Sequence, residues 1–309
     1  MRVKFRGIME REALLLRGPA GWGEFCPFPE YGDAEASRWL AAAVEAGWDG
    51  FPAPLRSTIP VNATVPAISA DRVPELLARF GRVDAVKVKV AEHGQTLDDD
   101  AARLDAVRSL LPRAAIRVDA NGAWDVPAAV QALTRLAAVG LEYAEQPVPT
   151  IEGLAEVRSL LRAAGIPVLI AADESVRKES DPLRVARAGA ADLIVVKVAP
   201  LGGVRRALDI VAQAGLPAVV SSALDTSVGI RAGLALAASL PELPYACGLG
   251  TVSLFASDVT TDPLVADDGA IRLRDVSADA GLLERYAAPA ERRDWWLARL
   301  RRVHALLAP

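Results

Sequence analysis

Five short apolar runs in this chain each end in a charged or polar group: Val86-Lys87-Val88-Lys89, Arg117-Val118-Asp119-Ala120-Asn121, Tyr143-Ala144-Glu145-Gln146-Pro147, Ala172-Asp173-Glu174-Ser175 and Val195-Val196-Lys197. Together they set out three carboxylates, Asp119, Glu145 and Asp173, and two lysines, Lys89 and Lys197. Ionised groups at the ends of such runs are costly to bury unless they hold a metal, pair with each other or do chemistry. Three hard oxygen donors suit Mg²⁺, with Mn²⁺ as the alternative, and water and substrate oxygens would complete an octahedron. Zinc fits poorly, because His93 and His304 are the only histidines and no cysteine is suitably placed. Lysines on both sides of such an ion suit removal of a proton beside a carboxylate. The ion takes up charge as an enediolate forms, a neutral lysine takes the proton, and a cationic lysine steadies the anion from the other face. Burial, the ion and the like charge of Lys87 all lower the pKa of a base at Lys89. The residue types leave either lysine as the base.

The spacing says what must position these groups. Lys89 to Asp119 is 30 residues, and the next steps are 26 to Glu145, 28 to Asp173 and 24 to Lys197. Each step is about one strand, one helix and two loops, and a parallel barrel built from such units gathers strand ends at one mouth. Strand patterns fall at Pro60–Pro66, Ala85–Val90, Ala115–Asn121, Leu141–Pro147, Val168–Ser175, Leu193–Ala199, Ala218–Ser222 and Tyr245–Leu249. Helical patterns lie between them, at Asp98–Leu111, Pro127–Val139, Ile151–Ala164, Gly203–Ala214 and Ser227–Leu240. Alternation puts Lys87 with Lys89, Arg117 with Asp119 and Asn121, and Tyr143 with Glu145 on one face of their strands. The expected fold is α/β: a (β/α)7β-type TIM-like barrel over residues 58–252, with a small α+β capping domain. Residues 1–57 supply that cap through short strands around Leu14–Leu16 and Trp22–Phe25 and a helix over Ala34–Trp48. The tail, 253–309, returns to it with a hairpin around Asp267-Asp268-Gly269 and a helix from about Ala290 to Leu307, in which Trp295-Trp296 packs.

Bulk properties narrow the partners. The 309 residues can bury a large core, and 52% hydrophobic with 24% charged residues is a globular composition. A net charge of −4 and a pI near 5.4 argue against nucleic acid or an anionic membrane surface as a partner. No apolar run approaches the roughly 18 residues of a membrane span. The start, Met1-Arg2-Val3-Lys4-Phe5-Arg6, has no apolar stretch after it, so no secretory signal is expected. Cys26 and Cys247 match no zinc or redox spacing and read as buried free thiols, which points to the cytoplasm.

Each polar group alone has an ordinary reading: a snorkelling lysine, turn chemistry at Asn121-Gly122, a loop carboxylate before Pro147, a helix-entry charge near Ser175. The joint pattern is what carries weight. With its motifs Lys87-Val-Lys89, Asp119-Ala-Asn-Gly-Ala-Trp124, Glu145-Gln-Pro147, Ala172-Asp-Glu-Ser175 and Lys197, the chain resembles the enolase superfamily, in its muconate-lactonising-enzyme-like branch. Gly21-Trp-Gly-Glu24 resembles that family's capping strand and turn. The resemblance implies an Mg²⁺-dependent enzyme with metal ligands Asp119, Glu145 and Asp173 and catalytic residues Lys89 and Lys197, as is general for this superfamily. The segment before the Lys-x-Lys strand is short, about 86 residues, which resembles the dehydrating members of the branch. So do Val220–Gly229, apart from Asp225 where those members often carry Glu, and Gly248-Leu-Gly-Thr251.

That resemblance implies a lyase acting in menaquinone biosynthesis. The reaction is a syn dehydration of 2-succinyl-6-hydroxy-2,4-cyclohexadiene-1-carboxylate, with Lys89 as base and then acid and Lys197 holding the enediolate by a cation–π contact. Lys87, Asn121, Ser222 and Gly248 are the candidate substrate-binding residues, the last two toward the succinyl tail. Three rivals stand beside it. One is racemisation of N-succinylamino acids or epimerisation of dipeptides at the same two lysines. Another is a Schiff-base aldolase at Lys197, which leaves three carboxylates without a task. The third is a metal-dependent barrel that only binds a small acid, for which two flanking lysines serve no purpose.

Overall fold

The protein, seen in a computed structural model, is described over residues 1–2, 8–176 and 181–307. Residues 3–7 of the N-terminal run, read from the sequence as part of a strand-and-turn segment without a leader, lie outside the described residues. Strands β1 (Leu14–Gly18) and β2 (Gly21–Phe25) form an antiparallel hairpin, and helix α1 (Asp33–Val44) packs across it. The chain then crosses to β3 (Thr58–Pro60) and begins the repeating units with β4 (Ala63–Val65), α2 (Val73–Leu77) and β5 (Ala85–Lys89). They continue as α3 (Leu97–Leu110), β6 (Ala115–Asp119), α4 (Val126–Leu136), β7 (Leu141–Glu145), α5 (Ile151–Ala163) and β8 (Leu169–Ala172). The last units are α6 (Asp181–Arg187), β9 (Leu193–Val196), α7 (Val198–Leu201), α8 (Val204–Ala214), β10 (Ala218–Val220) and α9 (Ser227–Ser239).

Strands β4 to β10 form one seven-stranded parallel sheet whose spatial order is the chain order. Local chemistry explains the alternation. Thr96, Asp125, Thr150 and Thr226 each accept a backbone N–H at the start of a helix, satisfying donors that the first turn leaves orphaned. Pro127 sits in the first turn of α4, and Gly140, at φ 75°, ends the 3₁₀ turn that follows it. Outward-facing Val86, Val88, Ile116 and Val118 are fully buried in one core with helix residues such as Leu104, Leu133, Val157 and Leu161. Each such side chain contributes about 1.5–3 kcal/mol by leaving water. A smaller cluster inside the barrel contains Tyr143, Ala171, Leu193, Val195 and Val219.

The sheet closes through a thin seam. Tyr245–Leu249, read from the sequence as a full eighth strand, makes only two single parallel bridges, Cys247 to Val61 on one side and Gly248 to Ser221 on the other. The run Pro60–Pro66 is likewise divided. Only Ala63–Val65 joins the parallel sheet, because Thr58–Pro60 pairs antiparallel with β11 (Ala270–Arg272). The expected hairpin at Asp267-Asp268-Gly269 is thus one bridge deep, from Asp267 to Ala270, and its second strand serves β3 instead. After β11 come α10 (Ala280–Arg285) and α11 (Ala290–His304).

Helix α11 lies against α1. Trp296 and Val303 join Phe25, Trp39 and Leu40 in a second core, and Arg302 pairs with Asp33 at 2.8 Å. Among the described residues, no helix is long and apolar enough to cross a membrane.

Candidate active site

Three successive strands, β5, β6 and β7, end by turning sharply. Ala91, Asn121 and Gln146 follow them at φ 60°, 47° and 38°, a region that side chains other than glycine seldom occupy. Such strain is retained where the surrounding structure enforces it, commonly at sites. Asp119 and Glu145 are register partners at the last residues of β6 and β7, and Lys89 partners Asp119 from β5. Asp173 and Lys197 stand one residue past β8 and β9, in strands shorter than the sequence pattern suggests. All nine residues singled out from the sequence line one cavity: Lys87, Lys89, Asp119, Asn121, Glu145, Asp173, Lys197, Ser222 and Gly248.

The charged groups there are paired and nearly dry. Lys87 donates to both oxygens of Glu145 at 2.9 Å and lies 3.4 Å from Asp119. Lys89 donates to Asp119 at 2.5 Å and to the Asn121 amide oxygen at 2.6 Å, and Lys197 is bonded to both oxygens of Asp173. Asp119 is 1% exposed, Glu145 1% and Asp173 4%. Burial pushes the Glu145 carboxyl up to about 8, aided by Asp119 and opposed by Lys87. Burial also pushes Asp119 up, but Lys89 and Lys87 outweigh it and hold that group well below the carboxylate range. For Lys87, burial favours the neutral amine, yet Glu145 and Asp119 outweigh it and keep the charge.

The donor set fits a divalent ion. Three buried carboxylates stand at the ends of adjacent strands, a set of hard oxygen donors of the kind such an ion takes. A different trio, Glu24, Cys26 and Asp225, is the one group among the described residues whose donor atoms all lie within 4.8 Å of one another. It suits an ion less well. Burial raises the Cys26 thiol well above its usual range, and both carboxylates already accept protein N–H groups.

Two further features escape the sequence. The Gln146 amide oxygen accepts the N–H groups of Asp173 (2.9 Å) and Ser175 (3.1 Å), while its nitrogen donates to the Val148 carbonyl and the Ser175 hydroxyl, both at 2.8 Å. One side chain thus fixes the backbone that carries Asp173. The signal was present in Glu145-Gln-Pro147, but an amide's role is invisible until its partners are known. Second, Ser222 is bonded internally, its hydroxyl 2.7 Å from that of Thr251 and 3.2 Å from the Gly248 carbonyl. Gly248 must lack a side chain, since a Cβ there would lie 2.6 Å from the Ser221 hydroxyl oxygen.

Comparison with known proteins agrees with this geometry. The family models "Enolase C-terminal domain-like" and "Enolase N-terminal domain-like" match residues 69–282 and 1–47. The o-succinylbenzoate synthase of Mycolicibacterium smegmatis is 56% identical over 308 residues, covering 99% of this chain and 94% of that one. That of Mycobacterium leprae is 54% identical, covering 100% and 90%. Among solved structures, the muconate lactonizing enzyme from Pseudomonas putida superposes with a TM-score of 0.73 at 20% identity, covering 89% of this chain and 93% of that one, which speaks to the fold alone. A probable mandelate racemase from Alicyclobacillus acidocaldarius gives 0.71 at 27% identity, covering 94% and 92%. The chain is an enolase-superfamily enzyme, and it belongs to the o-succinylbenzoate synthase family.

Proposed function

We propose that the chain converts 2-succinyl-6-hydroxy-2,4-cyclohexadiene-1-carboxylate to 2-succinylbenzoate and water, a lyase step of menaquinone biosynthesis. The observation that carries this reading is more than half identity, end to end, with o-succinylbenzoate synthases. A divalent ion, Mg²⁺ or in its place Mn²⁺, would be held by Asp119, Glu145 and Asp173 and supplies Lewis-acid neutralisation of the substrate carboxylate.

The chain's own residues do the rest. Lys89 takes the proton beside the carboxylate, and the electron pair left behind expels the ring hydroxyl. Lys89 then gives its proton to that hydroxyl, which departs as water and leaves an aromatic ring. Lys89 acts first as the neutral amine and becomes the ammonium on taking the proton, and Asn121, bonded to its nitrogen, aims it. Lys197 stays cationic and meets the electron-rich ring from the opposite side. Lys87 neutralises Glu145 and Asp119 from below. Ser222 and Gly248 receive the succinyl tail. In this reading residues 1–57 and 253–309 form the cap, 58–252 the barrel, the partner is a small carboxylate, and the two buried free cysteines support a cytoplasmic setting.

The test is to incubate the purified chain with Mg²⁺ and the cyclohexadiene acid and follow the diene absorbance. Loss of that absorbance should vanish in Lys89→Ala and in Lys197→Ala, with product binding retained. Turnover that survives both substitutions would defeat the assignment.

A further inference from the structure

Glu24 belongs to the β1–β2 hairpin, yet its carboxylate is spent on the barrel. It is 6% exposed. One oxygen accepts the Thr226 N–H at 3.2 Å, and the other accepts the Gly229 N–H at 3.1 Å and the Thr226 hydroxyl. Thr226 is the N-cap residue of α9, so a carboxylate from another part of the chain satisfies donors that this helix start leaves free. Gly229 makes room for it: a Cβ there would lie 2.6 Å from the Asp225 Cβ and 3.1 Å from the Glu24 carboxyl carbon.

The segment just before this cap, Ser221 to Leu224, lines the same cavity as the lysines and carboxylates. Leu224 holds φ 61° and is 2% exposed. A branched side chain in that region stores about 1–3 kcal/mol of strain and persists only where its surroundings impose it. Besides the loop's own bonds, such as the Ala223 N–H to Asp225, two tethers reach it from the N-terminal part of the chain. Arg11 donates to the Leu224 carbonyl at 3.3 Å, while also bonding the Cys26 carbonyl, and Glu24 holds the backbone two and five residues further on.

We propose that Glu24 is a positioning residue for substrate binding: by capping α9 from the hairpin, it holds the strained Ser221–Asp225 loop in the shape that receives the succinyl tail. This rests on Ser222 and Gly248 being the residues that meet that tail. Seating of the hairpin and shape of the site become one event, because the same carboxylate serves both.

The experiment compares the parent protein with Glu24→Ala, measuring KM and kcat for the diene acid and amide hydrogen exchange over residues 221–229. The expected result is KM raised about 10-fold with kcat within about 3-fold, and exchange in that segment faster by about 10-fold or more. A purely structural role would lower the melting temperature and leave KM unchanged. Unchanged exchange overturns the proposal, and so does faster exchange with unchanged KM. If Glu24→Ala does not fold, Glu24→Gln keeps the shape but removes the charge and one acceptor oxygen, and it should move both readouts in the same direction. A parent protein that fails to consume the diene acid refutes the reaction, not the tether, and the exchange comparison then decides the tether by itself.

Discussion

The guanidinium of Arg117 donates to the carbonyl of Ala246 at 2.6 Å, across the inside of the barrel. Arg117 is 1% exposed, two residues below Asp119 on β6, and it also reaches the Asn62 amide oxygen at 3.2 Å and Glu142 at 2.6 Å. It stacks on Tyr143, 4.9 Å from the ring centre, and lies 6.0 Å from that of Tyr245. Ala246 and Asn62 are the two sides of the seam where the sheet has only single bridges. A side chain from the middle of the sheet therefore fastens its edges together. Arg117→Met should cost about 3 kcal/mol, the usual penalty for breaking a buried charged network. Urea denaturation at neutral pH measures it, and a midpoint equal to that of the parent protein would remove Arg117 from this role.

Lys87 is the cation that Glu145 and Asp119 share. In Lys87→Met those two buried carboxylates face each other with one positive charge fewer, and the metal-free protein should lose about 3–5 kcal/mol. Excess Mg²⁺ should return more stability to this variant than it adds to the parent, since an ion that binds the folded state stabilises it by mass action. Thermal melts with and without Mg²⁺ decide the matter. Equal Mg²⁺ shifts in the two proteins would mean that the ion does not sit on these acids.

Gln146 holds the backbone of Asp173 and Ser175 through one amide. Gln146→Ala leaves two N–H groups without their acceptor and releases Asp173 from its fixed position. Outer partners of this kind commonly matter by 10–100-fold, and a loss of about that size is expected in kcat/KM and in Mg²⁺ affinity. Calorimetric Mg²⁺ titration beside steady-state rates provides the check. A variant with parental Mg²⁺ affinity would confine Gln146 to the fold.

Asp192 contributes to the acid limb of stability. It accepts from Arg158 at 2.7 Å, from Arg162 at 2.8 Å and from the Ile170 N–H at 2.9 Å. Burial raises its pKa, but these partners outweigh it and lower the group below its ordinary 3.8. The stabilisation is therefore complete above the unfolded value near 3.8 and is lost as the pH falls through the lower folded value. Asp192→Asn should cost about 1–3 kcal/mol at pH 6 and flatten the decline of stability between pH 5 and 3. Urea midpoints across that range supply the comparison, and parallel curves for the two proteins would contradict a carboxyl that is more acidic in the folded state than in the unfolded chain.

The sequence disclosed the site better than the sheet. Lys87, Lys89, Asp119 and Glu145 were legible because strand alternation fixes a side chain's face and a near-constant step fixes its place around the mouth. Residues 245–249 misled because apolar composition reports burial, not the number of ladder bonds. This segment is buried at Cys247 and Leu249 yet bridges each neighbour only once. The start of Pro60–Pro66 misled for a related reason, since Pro60 belongs to β3, whose partner β11 lies more than 200 residues away, and no local pattern announces such a pairing. Alternation placed Arg117 on the face of Asp119, but its task was not legible, because its partners Ala246, Asn62 and Glu142 come from other strands and loops. Glu24 was read only as part of a capping strand and turn, Gly21-Trp-Gly-Glu24, and only the folded chain brings its carboxylate to α9.

The seam has an uneven address around the rim. Asp119, Glu145 and Asp173 belong to the three central strands, as far as the sheet allows from its weakest join, whereas Ser222 and Gly248 sit directly on that join. On the proposed reading, the acids that would hold the ion lie on the fully laddered arc, and the residues that would meet the tail lie beside the seam. On that reading, drift in sequence beside the seam would reshape which acids are welcomed, while Lys89 and Lys197, each two strands away from it, keep their places.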